Sequence, residues 1–249
     1  MKTTTTTKTA TTTTLTAHIS SHNSKTGIPS FNLLAGSGSH VYNGYISKSA
    51  RKDLLNVCGT CGCNDCPGCY AKKMTRFTAV YNNFAENTLL TYTAAGREII
   101  YKTITAYVQP TKRKQAPPFF RIHDSGDFNS IEYLTMWDRI ARENPDTIFY
   151  CYTKRLDLMK EFKDINGRDP AFKFQLSTWA GICEYIDIVN AGFENAPLFE
   201  YDDGTREDLK NRPHCPAVNK HGKRTGVKCI QCKHCMKCKP GDVWAVYAH

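Results

Sequence analysis

From residue 119 onward the apolar positions switch repeatedly between a period of two and a period near 3.6. Phe119-Phe-Arg-Ile-His123 predicts a strand, and residues 129–144 predict a helix. In that helix Asn129 and Glu132 have the spacing of a capping box, and Tyr133, Trp137, Ile140 and Ala141 form one apolar stripe. Residues 147–153 read as the next strand. Leu156, Leu158, Met159, Phe162 and Ile165 mark another helix, and residues 172–177 a third strand. A helix-like piece follows through about residue 191. Strand and helix alternating across short connections is a βαβ series, so the expected fold is α/β with a parallel sheet, open or closing into a partial barrel. Functional groups in such folds collect at the C-terminal ends of the strands. That rule selects three tips: His123-Asp-Ser-Gly-Asp127, Thr153-Lys-Arg155 and Ser177-Thr-Trp179.

The remaining chain is less regular. Residues 1–26 are mostly Thr, Ser and Lys with nothing to bury, which predicts a disordered tail. Residues 27–36 read as an extended lead-in and residues 40–46 as a short strand or hairpin. A helix is expected from about 71 to 92, carrying Met74, Phe77, Val80, Tyr81 and Phe84, and a second from 94 to 108, ended by Pro110. Residues 192–209 bring in several acids and read as an irregular excursion. The implied organisation is a tail (1–26), an α/β domain (27–209) and a basic Cys-rich segment (210–249) closing on the strand-like Val243-Trp-Ala-Val-Tyr247.

Composition adds a partner class. The 249-residue chain has a formal net charge of +10 and a pI near 9.0, which favours an anionic partner such as nucleic acid, nucleotide or phosphate. No apolar run approaches the roughly 18 residues of a membrane span, so no membrane partner is expected. Ten of the 12 cysteines fall in two tight groups. Metal ligation requires such grouping, whereas disulfide frameworks spread along a chain, so a reducing compartment, the cytoplasm, is expected.

The first group is Cys58-Gly-Thr-Cys-Gly-Cys-Asn-Asp-Cys-Pro-Gly-Cys69, which places Cys58, Cys61, Cys63, Cys66 and Cys69 in a glycine-broken loop followed by the aromatic Tyr70. The second is C-x2-C-x2-C-x2-C at Cys229, Cys232, Cys235 and Cys238, with Cys215 upstream. Either group suits a structural zinc or a 4Fe–4S cluster, and the repeated x2 spacing of the second is closer to ferredoxin-type runs. Cys151 and Cys183 read as core residues. At the first tip, His123, Asp124, Ser125, Gly126 and Asp127 gather an imidazole, two carboxylates and a hydroxyl on a turn, with Arg121 expected on the same side of the strand as His123. Thr153, Lys154 and Ser177 are candidates for further donors at the same pocket. The bland alternative is a helix-capping turn with ordinary polar strand ends.

Several of these pieces resemble the phage gene product 88 family: Thr26-Gly-Ile-Pro-Ser-Phe-Asn-Leu, the Cys-rich loop ending in Cys69-Tyr-Ala, Arg121-Ile-His-Asp-Ser-Gly-Asp-Phe128, Phe149-Tyr-Cys-Tyr-Thr-Lys154, His214-Cys-Pro-Ala217 and the Cys-rich close. The order of parts is also similar to radical S-adenosylmethionine (SAM) enzymes. That resemblance implies a cluster held by Cys66, Cys69 and one of Cys61 or Cys63. It further implies Asp124 to Asp127 near the methionyl amino group of SAM, and Ser177 near its ribose or carboxylate. The usual C-x3-C-x2-C loop would need a cysteine at Gly62, where this chain has spacings of x4 or x2 into Cys66. The leading expectation is an iron–sulfur enzyme using SAM on an anionic substrate and served by a reductant protein. The alternatives are a zinc-stabilised nucleic-acid-binding protein and an iron–sulfur redox protein without SAM.

Overall fold

The computed structural model describes residues 15–21, 26–36, 60, 71, 74–112, 114–178, 184–202, 204–205 and 207–247. The expected strand or hairpin at 40–46, Tyr70, Cys183 and the Cys-rich loop apart from Thr60 lie outside the described residues.

Seven strands form one sheet: β1 (Ile19–Ser20), β2 (Ser30–Phe31), β3 (Phe119–Arg121), β4 (Ile148–Thr153), β5 (Lys173–Thr178), β6 (Leu198–Asp202) and β7 (Val243–Tyr247). They lie side by side in chain order; β1 runs antiparallel to β2, and every later pair is parallel. The helices are α1 (Thr78–Thr91), α2 (Ala94–Val108), α3 (Ile131–Glu143), α4 (Leu156–Asn166), α5 (Tyr185–Asn190) and α6 (Cys229–Cys232). Sequential parallel order with right-handed crossovers puts the intervening helices on one face. The main core is there: Phe120, Phe149, Cys151, Phe174, Leu176 and Leu198 from the strands meet Ile104, Trp137, Met159, Phe162 and Ile188 from α2 to α5. The opposite face carries Phe119, Tyr150 and Tyr152 and is covered by the Cys-rich segment through Cys229, Ile230 and Met236.

The α/β expectation holds, with corrections. Residues 15–21, assigned to the disordered tail, carry β1, and Leu15 and Ala17 pack on the main core. Residues 192–209, taken as irregular, contain β6, which separates β5 from β7. Glu200 and Asp202 broke the apolar signature of that strand, yet both are buried. The stripe assigned to the 71–92 helix is also wrong at its start: Met74 and Phe77 are 46% and 51% exposed. The buried face of α1 instead includes Glu86, Asn87 and Thr88, because it packs on irregular backbone with polar groups to satisfy. Glu86 accepts from Thr16 N–H, Asn87 bonds both N–H and C=O of His18, and Thr88 accepts from Leu34 N–H. At α3 the N-cap is Ser130, whose hydroxyl accepts from Tyr133 N–H, one residue beyond the expected Asn129.

Asp138 is a polar anchor on α3. Its carboxylate accepts from Arg168 through both terminal nitrogens, from Arg142 Nε and from Ala171 N–H, all within 2.8–3.0 Å. Burial works to raise its pKa, but these donors outweigh burial and hold it below the ordinary carboxylate value. A lowered folded pKa contributes stability that is complete above the unfolded value, about 3.9, and is lost as pH falls through the folded one. Asp138→Asn is therefore expected to flatten the acid limb of a plot of urea midpoint against pH. Parallel acid limbs for both proteins would refute this account.

Candidate functional site at the strand tips

The turn after β3 is the hub of the tip region. The Asn32 carboxamide oxygen accepts from Asp124 N–H at 2.7 Å and Ser125 N–H at 3.3 Å. The Ser125 hydroxyl donates to Leu33 C=O, and Leu33 N–H donates back to Ser125 C=O. These bonds continue the β2–β3 pairing past the last strand residue of each. Gly126 has φ +84°, and a Cβ there would lie 2.6 Å from Leu33 Cβ and 2.8 Å from Thr60 Oγ1. Both the positive φ and the close approach require glycine.

Asp127 fastens this turn to the next strand. One carboxylate oxygen accepts from Phe128 N–H and Thr153 Oγ1, and the other accepts from Lys154 N–H at 2.9 Å. Burial raises its pKa despite these donors and the nearby Lys154 ammonium. Thr153 in turn accepts from Arg155 N–H, which opens α4. Asp127 and Thr153 are thus engaged in positioning the β4 tip. Asp124 pairs with Arg121 at 2.8 Å, and both side chains keep partial exposure.

Arg121 and His123 do not share a side, contrary to the strand-period expectation. β3 ends at Arg121, and the bend after it sends the two side chains to opposite faces. The Arg121 guanidinium lies over the Tyr152 ring on the Cys-rich face. The His123 ring is packed by Phe128, Tyr133 and Trp137 in the main core, with Nε2 3.0 Å from Tyr133 Oη. Burial, with the Arg121 charge second, pushes the His123 pKa down to about 3, so the ring is neutral. That environment suits a core imidazole. Ser177 is 9% exposed at the β5 tip beside Thr178, whose hydroxyl is buried without a partner.

Thr60 ties this hub to the first cysteine group, between whose Cys58 and Cys61 it lies in sequence. It is buried; its N–H and hydroxyl both donate to Leu34 C=O, and its hydroxyl oxygen accepts from Asp127 N–H at 2.9 Å. Of the second group, Cys215, Cys229, Cys232 and Cys235 line one small cavity, of about 30 Å³, with Tyr150, Tyr152, Phe199 and Trp244. Cys238 does not join them; it is buried against a separate groove with Phe172, Lys173 and Pro197. Among the described residues, no three His, Cys, Asp or Glu side chains stand ready-made to hold a metal ion. Burial raises the Cys235 thiol to about 11, against smaller lowering by hydrogen bonds with Tyr152 and Gln175.

A family model described as Gene product 88 matches residues 3–239. The chain belongs to the gene product 88 family. Two gene 88 proteins are similar to part of it: that of Mycobacterium phage L5, 39% identical over 56 residues, and that of Mycobacterium phage D29, 36% identical over 56 residues. Each match covers 22% of this chain and 23% of the relative, so the chain spans about a quarter of the length of the curated relatives it matches. No solved structure matches. No helix in the described part of this gene product 88 protein is long and apolar enough to cross a membrane.

Asn32 and Thr60 escaped the sequence reading. Asn32 carried only a faint signal, a polar residue inside Phe31-Asn-Leu-Leu34, and Thr60 carried none. Thr60→Val keeps the shape but leaves Asp127 N–H without its acceptor. The expected cost is about 1–3 kcal/mol in urea unfolding. A change under about 0.3 kcal/mol would show that the hydroxyl does not hold the turn.

Proposed function

We propose that this gene product 88 protein is an iron–sulfur enzyme of the radical SAM type, acting at the C-terminal ends of its parallel strands on an anionic substrate. The observation that carries the reading is the seat of Thr60. A residue flanked in sequence by Cys58 and Cys61 is hydrogen-bonded to the Asp127 turn, which ties the start of the cysteine run to the strand tips. One further feature supports it. The sequential parallel order puts the ends of β2 to β6 along one edge, and sites in such sheets collect there.

The donor set fits: thiolates from Cys61 or Cys63, Cys66 and Cys69 are the right chemistry for a cluster. Bound there, a reduced cluster with SAM supplies one-electron chemistry, while the protein orients the reactants and excludes water. In this reading Asp127 and Thr153 act as positioning residues, since their polar atoms hold the β4 tip. Asp124, Arg121, Lys154 and Ser177 are the groups that meet cofactor or substrate. The Lys154 ammonium and the Arg121 guanidinium suit carboxylate or phosphate.

The test is metal and turnover together. Protein purified without oxygen is expected to contain iron and sulfide and, with dithionite and SAM, to release 5′-deoxyadenosine. Iron with sulfide but no 5′-deoxyadenosine would leave an iron–sulfur redox protein in its place. Iron-free protein from an anaerobic preparation would remove both.

One observation favours a second reading, a zinc-held nucleic-acid-binding protein. Between Asp208 and Asp242 the chain has no acid, and all nine Lys and Arg residues of that stretch are exposed. Such a surface would neutralise backbone phosphates and release counterions. It predicts binding to duplex DNA or RNA that weakens about tenfold or more between 50 and 200 mM salt. Absent or salt-insensitive binding would set this reading aside.

A further inference from the structure

We infer that Cys215, Cys229, Cys232 and Cys235 form a four-thiolate metal centre on the face of the sheet opposite the helices, and that Cys238 is not part of it. The inference is independent of any activity at the strand tips. It begins with the backbone. Segment 213–215 hydrogen-bonds alongside β7, with Ala245 N–H donating to Pro213 C=O and Cys215 N–H donating to Ala245 C=O. That pairing brings Cys215 to the sheet edge, 14 residues ahead of Cys229 in sequence but on the same cavity.

The other three thiols come from one run folded tightly on itself. α6 is a single turn, and Lys233 at its C-cap has φ +60°, the one non-glycine residue with positive φ among those described. A left-handed lysine is uncommon and marks a site where tertiary demands override local preference. Here the reversal brings Cys235 to the same cavity as Cys229 and Cys232. Cys238, three residues further on, lies on the other groove. The even x2 spacing of the sequence therefore does not survive as an even set of ligands.

Four thiols around one cavity are the right donor chemistry for an inorganic centre, although they do not stand in ligating positions in this structure. The space they surround is small, about 30 Å³. Tyr150, Tyr152, Phe199 and Trp244 form its aromatic wall, and the Tyr150 hydroxyl is buried without a partner. Gln175 Nε2 donates to Cys235 C=O at 3.0 Å, and Tyr152 lines the cavity beside Cys235, contacts that fix where this cysteine sits. Neutral thiols would be held there only as small apolar groups, whereas four thiolates bound to a metal would tie Cys215 to the 229–235 run. Binding would deprotonate the sulfurs and draw them inward, coupling metal affinity to the folding of residues 213–238.

The experiment uses full-length protein purified without oxygen, with iron, zinc and sulfide counted per chain. A chain with Cys58, Cys61, Cys63, Cys66 and Cys69 all changed to Ser isolates the second group. It is expected to retain one centre, and a metal-free but folded protein would overturn the inference. In that background Cys238→Ser is expected to keep the full metal content and Cys229→Ser to lose it. Loss in Cys238→Ser, or retention in Cys229→Ser, would overturn the ligand set. If the five-fold variant does not fold, the same Cys238→Ser and Cys229→Ser pair in the natural background gives the decision as a difference of none against one centre. Iron with sulfide identifies a cluster and zinc alone a single ion; both support the four-thiolate site. This outcome does not depend on 5′-deoxyadenosine release, so failure of the radical reading and failure of this site are separable.

Discussion

The buried carboxylate of Asp127 is the constraint around which the tip of the sheet is arranged. It accepts from the backbone of its own turn, from Thr153 at the end of β4 and from Lys154 just beyond. A carboxylate removed from water costs free energy unless it is so surrounded. Around it the turn gathers Asn32 and Leu33 from beyond β2, and Thr60 from the first cysteine group. Four separate parts of the chain therefore meet at one point, and the glycine at position 126 leaves room for that approach.

The sheet has two unlike faces. One is an ordinary apolar interface with amphipathic helices, and its aromatic cluster of Phe120, His123, Phe128, Tyr133, Trp137 and Phe149 absorbs even the imidazole of the turn. The other is aromatic and polar, and it is covered by a segment with little apolar content of its own. Cys229, Ile230 and Met236 supply that segment's apolar contacts with the strands, and His214 and His234 stack on Tyr247 and Trp244. A cover so poor in hydrophobic side chains has little burial to hold it down. The four-thiolate centre inferred for residues 215–235 would supply such a tie.

Sequence reading and structure part company where tertiary contacts change what a residue faces. The helix–strand series from residue 119 was legible because Trp137, Ile140, Met159 and Phe162 keep strict periodicity against a flat apolar sheet. β6 was not, because Glu200 and Asp202 point to the core side near the tips, where Asp202 finds His214 at 2.9 Å. The polar face of α1 was hidden for a related reason: Glu86, Asn87 and Thr88 serve backbone groups about 54 to 70 residues away in sequence. Arg121 and His123 looked like one constellation and are divided by the end of a strand.

By itself the chain determined the α/β class, the parallel run of strands and the polar turn at Asp124 to Asp127, since these follow from local period and turn composition. It also determined that ten cysteines fall in two groups, because spacing along the chain is a covalent fact. Only the tertiary structure decided that His123 is a core ring and that Asp127 is occupied as a clasp. It alone brought Thr60 to the strand tips and separated Cys238 from the other thiols of its run. Local rules know nothing of which distant backbone groups lack a partner, and burial, which raises the cost of leaving any of them unmet, made those assignments.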